Sequence, residues 1–150
     1  MTRDPAVTSR IMASVPSRDT GPELELRREL HRRGLRYRLR SRLVGKPDIV
    51  FPGPRVAVFV DGDYWHGNTW RLRGHDSLDA YLDTLPNSAF WRAKIGGNVG
   101  RDTRVTACLI ADDWRVLRLW ESDILRALRP CADLVERTVR PPAPLLAAST

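Results

Sequence analysis

The stretch RVAVFVDGDYWHGN, residues 55–68, changes from apolar to polar at its midpoint. After the leading arginine, five apolar residues in a row favour a central strand that is covered on both faces of a sheet. The six residues that follow contain two carboxylates, two aromatic rings and a histidine. A functional cluster is therefore expected at the point where a buried strand ends.

Three other segments have strand patterns. GKPDIVF (residues 45–51) is a turn that leads into a short apolar run, and PGP (residues 52–54) joins it to the central strand. Two strands joined by so short a link should be antiparallel neighbours. WRVLRLW (residues 114–120) predicts a further strand, and RYRLRSR (residues 36–42) alternates like a strand with arginine on one side.

Helix signals surround these strands. TGPE (residues 20–23) combines a threonine cap, an early proline and a glutamate at the third position, which predicts a helix that ends at Gly34. Short helices are also expected after Ser122. Helices that alternate with strands in this order predict an α/β fold, with helices flanking a small mixed central sheet.

A second long helical pattern lies between these elements and contains glycines. We expect this helix to begin at Asn87 or Ser88, to be interrupted by the glycines at positions 96, 97 and 100, and then to resume in RDTRVTACLIA. Residues 67–87, just before it, have a mixed composition that predicts a loop.

The length and composition bound the class of protein. The 150 residues have the size of one domain, which we place at residues 19–140, between a basic arm (1–18) and a Pro-rich tail (141–150). No signal-like or membrane-length apolar run is present and the two cysteines form no C-x-x-C pair, so we expect a cytoplasmic protein.

The charge favours a polyanionic partner. The formal net charge is +7, and 23 of the 25 basic residues are arginine, which binds phosphate bidentately and stacks on bases. Nucleic acid is the usual partner of such a chain, although a solubilising surface would have the same composition.

Acidic residues and a histidine are expected to meet at one edge of the sheet. Asp48 opens one strand, Asp61 ends the next, and His66 follows on the loop, while Glu23 lies near the start of the first helix. Carboxylate oxygens can hold Mg²⁺, and a histidine that titrates near neutrality can take a proton from an attacking water. This set of groups suits phosphodiester hydrolysis.

Each of these residues also has a structural interpretation. Glu23 occupies a capping-box position, Asp48 follows a proline and can shape a turn, and Asp61 precedes a glycine as in many turns. A lone histidine beside a tryptophan, as in the pair Trp65 and His66, is often packed and hydrogen-bonded without catalytic work.

Five ordered blocks resemble one known family. SRDTGPELELRRELHRRGLRYR, GKPDIVF, AVFVDGDYWHG, FWRAKIGGNVGRD and DWRVLRLWE occur in the order and spacing of the very short patch repair (Vsr) endonucleases, over roughly residues 8–122. The resemblance implies a restriction-endonuclease-like, PD-(D/E)XK-type fold in three layers. It also implies a magnesium-dependent enzyme that nicks one DNA strand beside a T:G mismatch.

The resemblance assigns roles within the site. Asp48 would bind the metal together with the backbone carbonyl of Val60, and His66 would activate the attacking water. The supporting acids that the resemblance implies are Glu23 near the metal-bound water, Asp102 behind the histidine, and Asp61 near the metal at a position that varies in the family.

DNA contacts are implied as well. Tyr64, Trp65 and Trp91 match aromatic residues that the family inserts beside the mismatch, and Met12 matches an apolar residue on the opposite side. Side chains that insert between base pairs must regain, by stacking on the bases, the energy that unstacking costs. A mispaired base step costs less energy to open. A core position is the alternative for Trp91. Candidates for phosphate contacts are Arg27, Arg28, Arg36, Arg38 and Arg101.

The chain departs from the family at the structural zinc site. The four positions that usually supply cysteine and histidine ligands read Asp63, Asn68, Trp70 and Ser122, and the two cysteines lie elsewhere, so we predict no structural zinc. Packing must then order the segment that follows Gly67. An apolar patch that could do so consists of Trp70, Leu72, Leu78, Tyr81 and Leu82.

The departure keeps other functions open. One is a related nuclease with a role in host defence that cuts unmismatched or modified DNA, and another is a DNA-binding module without catalysis. Partners could include a cytosine methyltransferase or a mismatch-repair protein. We expect a monomer associated with the nucleoid in a bacterial cytoplasm, because a nickase needs one active site.

Overall fold

The computed structural model describes residues 19–141. The expected basic arm, with Met12, lies outside the described residues, and so does all of the expected tail except its first residue. Among residues 19–141, no helix is both long enough and apolar enough to cross a membrane.

Three strands and six helices make up the described part of the chain. In chain order they are α1 (Gly21–Arg32), β1 (Ile49–Phe51), β2 (Val56–Asp61), α2 (Thr69–Leu72), α3 (Leu78–Asp83), α4 (Ser88–Ala111), β3 (Arg115–Trp120), α5 (Glu121–Arg126) and α6 (Leu128–Val139).

The sheet is small and mixed, with strand order β1-β2-β3. β1 and β2 are antiparallel, with Ile49 opposite Val58, which confirms the pairing expected from the short PGP link. β3 runs parallel to β2, so that Asp61 lies opposite Trp120 where both strands end. The carboxyl ends of these two parallel strands therefore meet at one edge of the sheet.

The two faces of the sheet carry separate cores. On one face Phe51, Val56 and Val58 pack with apolar residues of α1, α5 and α6. On the other face Ala57 and Phe59 pack with Leu109 of α4. Helices thus cover both faces, which confirms the predicted three-layer α/β fold.

The alternation of side chains decides which residues face α4. Ala57 and Phe59 face this helix, so Asp61, two residues further on, lies on the same face of β2. Val50 also packs on the α4 side, which places the preceding even-numbered residue, Asp48, on that side as well. The two carboxylates are thereby directed to one face of the sheet.

The predicted strand at residues 36–42 is wrong. Only a single bridge forms there, in which Arg38 and Val50 exchange backbone hydrogen bonds of 2.8 Å each. Leu39 is 37% exposed, and the neighbouring arginines also face solvent. The segment has no apolar row to bury against the sheet, so its alternation does not produce a strand.

The predicted interruption of the second long helix is also wrong, because α4 is continuous for 24 residues. The buried residues along its length are Trp91, Ile95 and Leu109. Their packing offsets the low helix propensity of the glycines. Residues 67–87 are likewise not a plain loop, since they contain the short helices α2 and α3.

A third apolar cluster orders this region. Tyr81 and Leu82 of α3 pack against Trp91 and Ile95 of α4, with Trp70 and Leu78 at the margin. The predicted apolar patch is therefore present, except that Leu72 is 50% exposed and does not take part. The segment that precedes α4 is held by packing against that helix.

Candidate active site

Asp48 is fixed just before β1 by two hydrogen bonds to β2. Its backbone N–H donates to the carbonyl of Val58 at 3.0 Å, and its carboxylate Oδ2 accepts the N–H of Val60 at 2.7 Å. The N–H and C=O of one strand residue point to the same side, so the carbonyl of Val60 lies on the side of Asp48. The carboxylate and this carbonyl are adjacent oxygen donors.

Burial makes the charge on Asp48 costly. Burial raises the pKa of this carboxyl from its ordinary value of 3.8 to about 6. The hydrogen bond from Val60 lowers this pKa, whereas the negative charges of Glu23 and Asp61 raise it further. A partly buried carboxylate among other carboxylates is stabilised by a bound cation. The electrostatics of this position therefore favour a metal.

His66 lies on the loop after β2 and is held by α4. Its Nδ1 contacts the carboxylate of Asp102 closely and lies 3.8 Å from Oδ1 of Asp61. A neutral ring that donates from Nδ1 keeps its acceptor lone pair on Nε2. The side chain of His66 remains 28% exposed to solvent.

Arg118 of β3 joins the acids behind the histidine, and the sequence interpretation missed it. Its Nη1 lies 3.1 Å from both carboxylate oxygens of Asp61 and 3.6 Å from Oδ1 of Asp102. Its Nε donates to the hydroxyl of Thr106 at 2.8 Å, and its guanidinium lies over the ring of Phe59. The sequence feature that could have identified Arg118 is its position among the apolar residues of the predicted strand WRVLRLW.

The groups converge on one cleft of about 320 Å³. Asp48 and His66 both line this cleft, although they are 18 residues apart in sequence. The other polar side chains around it belong to Lys46, Asp61, Arg101, Asp102 and Arg118.

Two sets of atoms in this cleft are possible metal ligands. Asp61, His66 and Asp102 offer ligand atoms within 4.8 Å of one another, but Arg118 already supplies a positive charge to both acids. Asp48 and the carbonyl of Val60 are hard oxygen donors and suit Mg²⁺, which needs only one or two protein carboxylates. The donor chemistry therefore fits magnesium at Asp48.

Glu23 is buried beside Arg27 and not in a capping box. Thr20 makes no capping hydrogen bond with its side chain, whereas Glu23 is 2% exposed and forms an ion pair with Arg27. Nη1 of Arg27 also lies 2.7 Å from Asp19, and its side chain is 13% exposed. Arg27 is thus occupied within the protein, which argues against the predicted phosphate contact.

The aromatic residues form one edge-to-face cluster. The ring of Tyr64 lies 5.2 Å from that of Trp65 and 5.7 Å from that of Trp91. Trp91 is 6% exposed, so the structure supports the core alternative for it in this state. Phe90, which sequence analysis did not select, is 42% exposed beside it and is the solvent-accessible ring of this pair.

The remaining predicted DNA contacts among residues 19–141 are at least partly exposed. Trp65 is partly exposed, and the ammonium of Lys94 lies 5.6 Å from its ring centroid. The exposed arginines among the candidates are Arg28, Arg36, Arg38 and Arg101, of which Arg101 borders the cleft.

A three-layer α/β fold, with a carboxylate and a histidine facing one cleft at the sheet edge, defines a protein of the restriction-endonuclease-like class. The family model of the DNA mismatch endonuclease Vsr matches residues 2–72. Comparison with whole relatives extends the likeness over most of the chain, and the chain belongs to the Vsr endonuclease family.

Three relatives illustrate the likeness. The type II nicking enzyme V.NmeDIP of Neisseria meningitidis serogroup C is 40% identical over 137 residues, which cover 91% of this chain and 88% of that protein. The type II nicking enzyme V.XorIIP of Xanthomonas oryzae is 40% identical over 117 residues, or 76% and 79% of the two chains. The DNA mismatch endonuclease Vsr of Escherichia coli K12 is 36% identical over 121 residues, or 79% and 71%.

Proposed function

We propose that this chain is a magnesium-dependent endonuclease that nicks one strand of double-stranded DNA beside a T:G mismatch. The observation that carries the proposal is the shared cleft of Asp48 and His66, in which Asp102 engages Nδ1 of the histidine. Membership of the Vsr family gives the reaction class, and the similarity to the DNA mismatch endonuclease Vsr of Escherichia coli supports the T:G mismatch as the substrate.

The residues of the cleft have distinct roles in this proposal. Asp48 and the Val60 carbonyl would hold Mg²⁺, which would supply positive charge to neutralise the phosphate and to lower the pKa of the attacking water. His66 accepts the proton of the attacking water at Nε2, and Asp102 holds the ring in the tautomer that allows this. Arg118 keeps Asp61 and Asp102 in place behind the ring.

Two further features suit a DNA substrate. Arg101 is exposed at the border of the cleft, where a guanidinium can bind the phosphate next to the scissile bond. Trp65 and Phe90 are partly exposed and both pack against the buried Trp91. Their rings can therefore stack on the bases of an opened base-pair step.

Incubation with end-labelled duplexes that differ only in one T:G or T:A pair tests the proposal. We expect nicking of one strand of the T:G duplex in the presence of Mg²⁺, and no nicking when EDTA replaces it. Absence of nicking on both duplexes with Mg²⁺ would contradict the proposal.

A second candidate function is nicking of fully paired or modified DNA. It is favoured by the replacement of all four zinc-ligand positions, which lie around the loop that carries the aromatic residues. Equal nicking rates on T:G and T:A duplexes would support this candidate over the first. A DNA-binding module without catalysis is disfavoured because Asp48, His66 and Asp102 are all in place at the cleft.

We also propose that the chain acts as a monomer at the bacterial nucleoid. The net charge of +7 supports attraction to DNA, and one cleft of this kind is enough to nick one strand. A cytosine methyltransferase or a mismatch-repair protein remains the proposed partner.

A further inference from the structure

The loop between β2 and α2 carries Tyr64, Trp65 and His66, so its position controls both the aromatic cluster and the catalytic base. One side of this loop is supported by α4, where Nδ2 of Asn98 donates to the carbonyl of Trp65 at 3.1 Å. The opposite side requires a separate anchor, because the loop leaves the sheet at Asp61 and makes no ladder hydrogen bonds beyond it.

Asp63 supplies that anchor through both of its carboxylate oxygens. Oδ1 accepts hydrogen bonds from Nδ2 of Asn68 at 2.7 Å and from the hydroxyl of Ser122 at 2.6 Å. Oδ2 accepts the backbone N–H of Ser122 at 3.0 Å. The carbonyl of Asp63 also accepts the N–H of Asn68 at 2.8 Å, so the loop is closed on itself and tied to α5.

These residues occupy three of the positions at which the family resemblance places zinc ligands, and they do not fit zinc. A structural zinc site needs four thiolate or imidazole donors, whereas Asn68 and Ser122 offer an amide and a hydroxyl. Both act as donors toward Asp63, so the oxygens of this carboxylate already have partners. Of the two cysteines, Cys108 lies exposed on α4 and Cys131 is buried in α6.

We infer that Asp63 is a positioning residue whose hydrogen bonds to Asn68 and Ser122 hold the Tyr64–His66 segment in place of a metal. Three charge-assisted hydrogen bonds to one partly buried carboxylate are a strong local constraint. Asn68 is only 4% exposed, and Asp63 and Ser122 are partly buried, so the network is partly shielded from competing water. The effect on catalysis rests on the proposed function, whereas the effect on the loop does not.

The test combines metal analysis, hydrogen exchange and nicking on the full chain. Asp63→Ala removes all three side-chain hydrogen bonds, and Asp76→Ala is the matched control because Asp76 is an exposed acid in the nearby segment between α2 and α3. Ser122→Ala is a milder variant that removes only the hydroxyl contact.

We expect the purified wild-type protein to contain no stoichiometric zinc and to keep its hydrogen-exchange protection in a zinc-selective chelator. Asp63→Ala should speed amide exchange in residues 62–70 by about tenfold or more, because it removes the three hydrogen bonds that tie the loop to Asn68 and Ser122. Its nicking rate at saturating DNA should fall about 10- to 100-fold. Ser122→Ala should show smaller effects in the same direction, and Asp76→Ala should match the wild type.

Two results would overturn the inference. One is stoichiometric zinc in the wild-type protein, with loss of loop protection on chelation. The other is exchange in residues 62–70 that is the same in Asp63→Ala, Ser122→Ala and Asp76→Ala. The exchange measurement needs no nicking activity, so it separates this inference from the proposed function.

Discussion

The partly buried Asp48 couples stability to pH and, in the proposed function, to metal binding. Its pKa of about 6 in the folded protein lies above the ordinary value of 3.8. Between these two pH values the folded protein keeps a proton that the unfolded chain has released. The stability that this group contributes is therefore present at low pH and is lost as the pH rises through 6. A cation bound by the ionised carboxylate would restore stability in that range.

Asp48→Asn is expected to stabilise the metal-free protein at pH 8. The amide oxygen can still accept the N–H of Val60, and the variant has no charge to bury. We expect a gain of about 1–2 kcal/mol in the free energy of unfolding. Thermal unfolding should also show that Mg²⁺ raises the Tm of the wild type and not of the variant. A variant that Mg²⁺ still stabilises would contradict the assignment of Asp48 as a ligand.

Arg118 makes a second residue-scale prediction. The side chain of Asp61 is 8% exposed and depends on this guanidinium, so Arg118→Met leaves a buried carboxylate without its partner. We expect a loss of about 3 kcal/mol in the free energy of unfolding, measured with urea. The double variant Arg118→Met/Asp61→Asn should recover most of that loss. A double variant that is less stable than either single variant would show that the pair does not act in this way.

At the scale of elements, local patterns predicted the strands and failed in the glycine-containing helix. The apolar run of β2 and the short PGP link fixed two strands and their pairing, because both signals are local. The continuity of α4 depends on Trp91, Ile95 and Leu109 packing against other elements, which no local pattern encodes. The failure at residues 36–42 has the opposite cause, since alternation was present but there was no apolar surface to bury.

The glycines of α4 therefore offer a test of helix propensity. Gly97 is exposed, and a Cβ built there meets no atom within 4 Å, so Gly97→Ala should stabilise the protein by about 1 kcal/mol. Gly45→Ala is the comparison variant, for which the opposite effect on stability is expected. Gly45 has φ +78°, and a Cβ added there would overlap Val105. We expect a loss of about 2 kcal/mol or more there. Urea unfolding of both variants measures this, and a destabilising Gly97→Ala would contradict a continuous helix.

At the scale of the whole molecule, the site depends on contacts between distant parts of the chain. Asp48 and Asp61 could be placed together from sequence because Asp48 opens one strand, Asp61 ends the next, and a short link joins the two strands as antiparallel neighbours. Asp102 lies 36 residues from His66, and only the family resemblance connected the two. Arg118 was missed because its role appears only when β3 pairs with β2 and brings it beside Asp61.

The most direct measurement is single-turnover nicking of a T:G duplex by Asp48→Asn, His66→Gln and the double variant, with duplex affinity measured in parallel. If both side chains act on one phosphodiester, each single variant should lose at least about 1,000-fold in rate, and the double variant should be no slower than the slower single one. Duplex affinity should stay within a few-fold of the wild type. Wild-type nicking rates in either single variant would contradict the account.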